Sequence, residues 1–314
     1  MNERISIGAG NLPPKIAVIV NASAGAGCTP EWAERLTGKF HESGMDVVVT
    51  LAKSGAQVIE AAQSALALGA AIIVAGGGDG TISAVASVVA GTGATLGVLP
   101  LGTLNHFAKD LHIPLELDKA IRNIADGRMA RIDVGDVNDR VFLNNSSLGL
   151  YPDIVRDREK QQRRLGRGKW PAFFWATVAA LRRYPFLNTR LTIDGAEHVR
   201  RAPFVFIGNN EYSMEGFKIG TRARLDAGIL SLYIGQRTGR LGLLRLALSS
   251  LFGRLRQERD FESLTAREIR IDTHHKRLRV STDGEVAVMA TPLLYRIRSA
   301  ALCVMVPNNV DAGA

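Results

Sequence analysis

The chain has 314 residues, 46% hydrophobic and 22% charged, with a formal net charge of +9. That balance excludes a disordered or fibrous chain and leaves room for two domains, each able to bury its own core. Cys28 and Cys303 are the only cysteines, which excludes a disulfide framework or zinc ribbon and makes a reducing cytosol the expected compartment.

The basic charge calls for an anionic partner: a nucleotide, a nucleic acid or an acidic membrane surface. The first residues lack the apolar core of a secretory signal, and no run approaches the roughly 18 apolar residues of a membrane span, so neither is expected. Residues 15–20 read as a buried strand. Thr29 and Pro30 open a helix as N-cap and first helical residue, and Gly44 closes it. Residues 46–51 form the next strand and 56–68 a helix ended by Gly69. Strand 71–75, a glycine loop, helix 82–90 and strand 95–99 follow. Strands alternating with helices at this spacing predict a parallel α/β sheet, with ligands beyond the carboxyl ends of its strands.

Three loops fall at those ends. The central one reads Gly-Gly-Gly-Asp-Gly-Thr over Gly76, Gly77, Gly78, Asp79, Gly80 and Thr81. Glycines let backbone N–H groups converge on one point, and the following helix adds its positive end, which suits a phosphate. Asp79 would repel an anion unless a metal, a proton or a transferring group intervenes, so phosphate chemistry explains it better than binding alone. The companion loops carry Asn21 and Ser23, and Gly102, Thr103 and Asn105. Asn105 is placed to cap a short helix, and His106 to lie on its face.

Beyond about residue 127 the pattern turns to strands. Asn138-Asp139 and Asp194-Gly195 are hairpin signals, and further strands are expected at 203–207, 229–234, 268–271 and 278–280. The second half is therefore an antiparallel β domain. The run 301–306 either pairs with it or returns to the first domain. Asp283-Gly284 suits a hairpin turn on residue type alone. A basic stretch with Arg158, Lys160, Arg163, Arg164, Arg167 and Lys169 precedes Trp170, Phe173, Phe174 and Trp175, a combination suited to an anionic bilayer surface. Residues 240–256 form a helix with a large apolar surface, read first as core-facing.

Gly77-Gly-Asp-Gly-Thr81 together with Pro100-x-Gly-Thr-x-Asn105-x-Phe-Ala108 resembles the diacylglycerol kinase catalytic family, which includes sphingosine kinases, and more distantly the NAD kinases. The resemblance extends to Asn21-Ala-Ser-Ala-Gly25, to Phe142-Leu-Asn-Asn-Ser-Ser-Leu-Gly149, to Leu225-Asp-Ala-Gly-Ile-Leu230, to Asp283-Gly-Glu285 and to the closing strand. Ser83, His106 and Ala227 depart from the family's residues, and no proline follows Asn21.

The resemblance implies an N-terminal parallel-sheet nucleotide domain over 13–130, with 300–307 as a returning strand, and a β-rich lipid domain over 131–299 with a cleft between. It implies an ATP-dependent lipid kinase using Mg²⁺. Asn21, Ser23, Gly76, Gly77, Gly78, Gly80, Thr81, Gly102, Thr103, Asn105 and Glu285 would meet the nucleotide. Asp283 would be the base, with Asp79 its rival, and Asp226 with the Leu230 carbonyl would hold a metal. The expected partners are a lipid alcohol and an anionic membrane surface, with the protein cytoplasmic and peripheral to the inner face. No nucleic-acid partner is expected, and monomer and homodimer are both open. An NAD kinase-like phosphotransferase and a non-catalytic nucleotide or nucleic-acid binder stand as alternatives.

Overall fold

The computed structural model describes residues 16–23, 27–149, 187–202, 204–212, 214–215, 218–219, 222–235 and 261–308. The chain divides into two compact units, Met1–Val134 with Ser299–Ala314, and Gly135–Arg298. The division falls inside two strands, β5 (Arg128–Val137) and β18 (Leu293–Val306).

In the first unit, β1 (Ile16–Asn21), β2 (Val47–Ala52), β3 (Ile72–Gly77) and β4 (Thr95–Pro100) form a parallel sheet ordered β2-β1-β3-β4, with β18 parallel to β4 through Cys303 and Val304. The final strand thus returns to this sheet. Helix α1 (Pro30–Glu42) is capped by Thr29 Oγ1, which accepts from Trp32 N–H at 3.3 Å, and Gly44 ends it with φ of +75°. Helix α2 (Gly55–Ala67) is capped by Ser54. Alternation along the strands sends Val18, Val20 and Val74 into one apolar cluster with Leu36 and Phe40 of α1 and Ile121 and Ile124 of α5 (Leu117–Asp126). Intervening residues such as Ile19 and Ile73, equally buried, serve the opposite face.

Helix α3 spans Asp79–Val89, so it begins three residues earlier than expected, inside the glycine loop. Gly78 is its N-cap and supplies no side-chain bond. The strand order reverses direction between β1 and β3: the chain leaves β1 toward β2 and leaves β3 toward β4. The loops after these strands therefore diverge and open a crevice at the carboxyl edge of the sheet.

The second unit is antiparallel. One sheet is ordered β14-β13-β10-β7-β16-β17, comprising β7 (Asn145–Gly149), β10 (Phe204–Asn209), β13 (Leu230–Gly235), β14 (Phe261–Ala266), β16 (Arg277–Thr282) and β17 (Glu285–Ala290). A second layer pairs the first part of β18 with β15 (Glu268–Thr273), then β8 (Leu187–Ile193) and β9 (Ala196–Ala202). Leu148, Val205, Ile207, Leu232 and Val280 from the first layer share a core with Leu191, Ile269, Ile271, Leu293 and Tyr295 from the second. The fold is therefore a parallel α/β sheet plus an antiparallel β domain.

Among the described residues, three two-residue turns carry positive φ at both central positions: Asn138 and Asp139 (47° and 67°), Asp194 and Gly195 (44° and 89°), and Asp283 and Gly284 (49° and 86°). These are the mirror-image turns that match strand twist, and Asn, Asp and Gly are the residues that adopt them. The first closes β5 against β6 (Arg140–Phe142). Among the described residues no helix is long and apolar enough to cross a membrane.

Candidate active site

In the first unit the three loops meet. Asn21 Nδ2 donates to Thr81 Oγ1 at 3.2 Å, spanning the crevice between the β1 and β3 exits. Asn21 Oδ1 accepts from Ser23 N–H at 2.9 Å, which curls the first loop back on itself. The β3 and β4 exits are packed backbone to backbone. A Cβ on Gly102 would stand 2.5 Å from Gly78 Cα, and one on Gly77 would stand 2.5 Å from Thr81 Oγ1. Neither glycine has positive φ. Gly102 leaves room for backbone to approach backbone, and Gly77 leaves room for the Thr81 side chain.

Asp79 sits half-buried in the first turn of α3, where the helix dipole favours a carboxylate. Its Oδ1 accepts from Phe107 N–H at 3.2 Å, which caps α4 (His106–Asp110) from a different loop. Its Oδ2 takes no hydrogen bond from the described residues. Asn105, expected to cap α4, does not. It is 5% exposed with φ of 51°, and its amide turns inward: Oδ1 accepts from Gly102 N–H, and Nδ2 donates to the carbonyls of Pro100 and Gly102. Asn105 therefore shapes the loop, and both of its amide hydrogens are committed within it. Thr103 and His106 are exposed beside it.

The second unit holds Asp283, Glu285, Asp226 and Leu230. Asp283 projects from the β16–β17 turn onto the start of β7. Its Oδ2 accepts from Leu143 N–H at 2.8 Å, and its Oδ1 accepts from Asn144 N–H at 2.8 Å and Asn145 N–H at 3.1 Å. Its own N–H donates to Asn145 O at 2.9 Å. Glu285 pairs with Arg140 at 2.8 Å on the surface. Asp226 is met by Arg224 at 3.0 Å, and Leu230 lies fully buried in the ladder between β10 and β14. A carboxylate already paired with a guanidinium is a poor metal ligand, and among the described residues no three His, Cys, Asp or Glu side chains gather. Asp226 is the carboxylate there that could hold a magnesium ion, with Arg224 competing for it from an exposed pair.

Sequence reasoning missed Arg222. It is 3% exposed, and its guanidinium donates to Leu143 O at 2.6 Å, Asn209 O at 3.1 Å and Asn144 Oδ1 at 2.8 Å, lying 5.4 Å from the Tyr212 ring centre. The only cue in the sequence is an arginine just ahead of the Leu225–Leu230 turn. The basic-aromatic stretch at 156–175 and the helix expected at 240–256 lie outside the described residues.

Residues 15–137 match the family model of the diacylglycerol kinase catalytic domain, and residues 153–306 match that of the YegS C-terminal NAD kinase beta sandwich-like domain. A diacylglycerol kinase of Mycobacterium tuberculosis is 29% identical over 308 residues, covering 94% of this chain and 96% of that protein. A protein of Chromohalobacter salexigens named "Probable lipid kinase YegS-like" is 28% identical over 262 residues, covering 82% of each chain. The crystal structure of a diacylglycerol kinase from Bacillus anthracis str. Sterne has the same fold, with a TM-score of 0.67 at 20% identity over 96% of this chain and 99% of that one. The glycine loop at the sheet's switch point lies within the first matched region and the Asp-Gly-Glu turn within the second, and the chain belongs to the family of diacylglycerol kinase catalytic domains and YegS-like lipid kinases.

Proposed function

We propose that this chain is an ATP-dependent lipid kinase that moves the γ-phosphoryl group of ATP to the hydroxyl of a diacylglycerol- or sphingoid-like lipid. The observation that carries the reading is the interlocking of three loops at one sheet edge through Asn21–Thr81, Gly78–Gly102 and Asp79–Phe107. The backbone around Gly76, Gly77, Gly78, Gly80 and Thr81, with Asn21, Ser23, Gly102 and Thr103, receives the triphosphate at the start of α3. Asp79, whose Oδ2 takes no hydrogen bond from the described residues, is the group that would meet a phosphate-bound Mg²⁺. The ion would supply charge neutralisation of the phosphates. Asn105 keeps this loop in shape.

Phosphoryl transfer asks little covalent chemistry of the protein: the acceptor hydroxyl must be oriented, and its proton leaves late. Asp283 is assigned that proton. Three amides fix the direction of its carboxylate, which suits an orienting group. A second reading gives the proton to Asp79, favoured by its Oδ2, which takes no hydrogen bond from the described residues.

Labelled ATP with dioleoylglycerol, a sphingoid base and NAD as acceptors tests both readings. Label is expected on a lipid, with Asp283→Asn lowering kcat by about 10²- to 10⁴-fold at near-unchanged KM for ATP. Full activity of Asp283→Asn alongside an inactive Asp79→Asn transfers the role to Asp79. Label on NAD alone overturns the lipid kinase.

A further inference from the structure

Every backbone polar group of residues 143–145 is held by a partner. On the N–H side all three amides point at the Asp283 carboxylate. On the carbonyl side, Leu143 O accepts from Arg222 Nη1 at 2.6 Å and Asn209 Nδ2 at 2.8 Å. Asn144 O accepts from Asn209 N–H at 2.9 Å and Tyr212 Oη at 2.9 Å. Asn145 O accepts from Asp283 N–H. Arg222 Nη2 also holds the Asn144 side chain at 2.8 Å. The segment is thus gripped from opposite edges by one anion and one cation, the cation almost fully buried.

Burying a guanidinium costs solvation that must be recovered by hydrogen bonds of good geometry, and three of those the Arg222 fork makes go to Leu143 O, Asn209 O and the Asn144 side chain. The planar fork fixes direction as well as distance. Asp283 itself is held at φ of 49° in the turn, and the direction of its carboxylate is set by the three amides that receive it. Asp194 offers a contrast within the same unit. It occupies the same kind of turn and accepts from Arg267 and Glu268 N–H, but at an exposed edge.

We infer that Arg222 is a positioning residue for Asp283: it locks the 143–145 backbone so that three amides converge on the carboxylate and aim it. The inference rests on the reading that Asp283 handles the acceptor proton.

The test is a double-mutant cycle on the full chain, Arg222→Lys and Arg222→Met with and without Asp283→Asn, and with Asp194→Asn as control. Label transfer from ATP to dioleoylglycerol in mixed micelles is measured together with amide exchange at residues 143–145. Arg222→Lys, which keeps the charge and loses the fork, should lower kcat by about 10- to 100-fold with KM for ATP unchanged, and Arg222→Met at least as much. Either change should add less than about twofold in the Asp283→Asn background, because coupled residues are not additive. Asp194→Asn should lower the melting temperature and leave kcat intact. Exchange at 143–145 should rise in the Arg222 variants while β13 stays protected.

Equal losses from Arg222→Lys with and without Asp283→Asn would overturn the positioning role and leave the Asp283 reading standing. Wild-type kcat in Asp283→Asn would remove both. If dioleoylglycerol takes no label from the wild-type protein, the exchange arm decides alone: unchanged protection at 143–145 in both Arg222 variants overturns the inference.

Discussion

Asp79 serves two elements with one side chain: it charges the start of α3, and its Oδ1 caps α4. The two jobs separate by substitution. Asp79→Asn keeps an acceptor for Phe107 N–H and loses the charge, whereas Asp79→Ala loses both. Transfer should fall by at least about 10²-fold in each, but Asp79→Ala should lose about 1 kcal/mol more stability than Asp79→Asn in a denaturant melt. Equal stability of the two variants would mean that the cap contributes nothing. Asp136 gives a prediction in pH. Burial pushes its carboxyl above the ordinary value, with Arg298 opposing. The folded protein then holds this proton where the unfolded chain has released it, so this contribution to stability is complete below the usual carboxylate range and is lost as pH rises through the folded value. Asp136→Asn should flatten the fall in stability as pH rises above the usual carboxylate range, measured by urea unfolding. A wild-type slope in the variant would contradict the assignment.

At the scale of elements, the β3 and β4 exits work as one piece because two glycines let them touch. Gly102→Ala puts a methyl group 2.5 Å from Gly78 Cα and 2.8 Å from Asn105 Oδ1, with no flexible side-chain end to yield to it at the backbone contact. It should raise KM for ATP by about tenfold or more, consistent with the 1–3 kcal/mol typical of overpacking, while β18 and the far edge of the sheet keep their amide protection. An unchanged KM would separate this loop from nucleotide binding. The strand–loop–helix order was legible because apolar runs and glycines are local signals. The start of α3 was not, because its cap is Gly78, which offers no side-chain cue. Helix α5 was passed over: Glu116 makes no side-chain cap, and only the spacing of Ala120, Ile121 and Ile124 marks it. The hairpin turn at Asp283 could be read from residue type, but its bonds to residues 138 to 140 positions away could not. Arg222 escaped for the same reason, since its partners Leu143 and Asn144 are 79 and 78 positions distant.

For the molecule as a whole, a net charge of +9 and a run of arginines and lysines followed by tryptophan and phenylalanine support the proposal of work at an anionic bilayer. The same charge would also serve a nucleotide or nucleic acid, so charge alone does not choose the acceptor. The glycine loop and the family matches support the proposed kinase-type transfer. The decisive measurement is incubation of the purified chain with γ-labelled ATP, Mg²⁺, NAD and anionic vesicles carrying a panel of lipid alcohols, with products identified by mass. The account predicts a lipid gaining one phosphoryl group in the wild-type protein and losing that product in Asp79→Asn and Asp283→Asn. Label released only to water, or carried only by NAD, would contradict it.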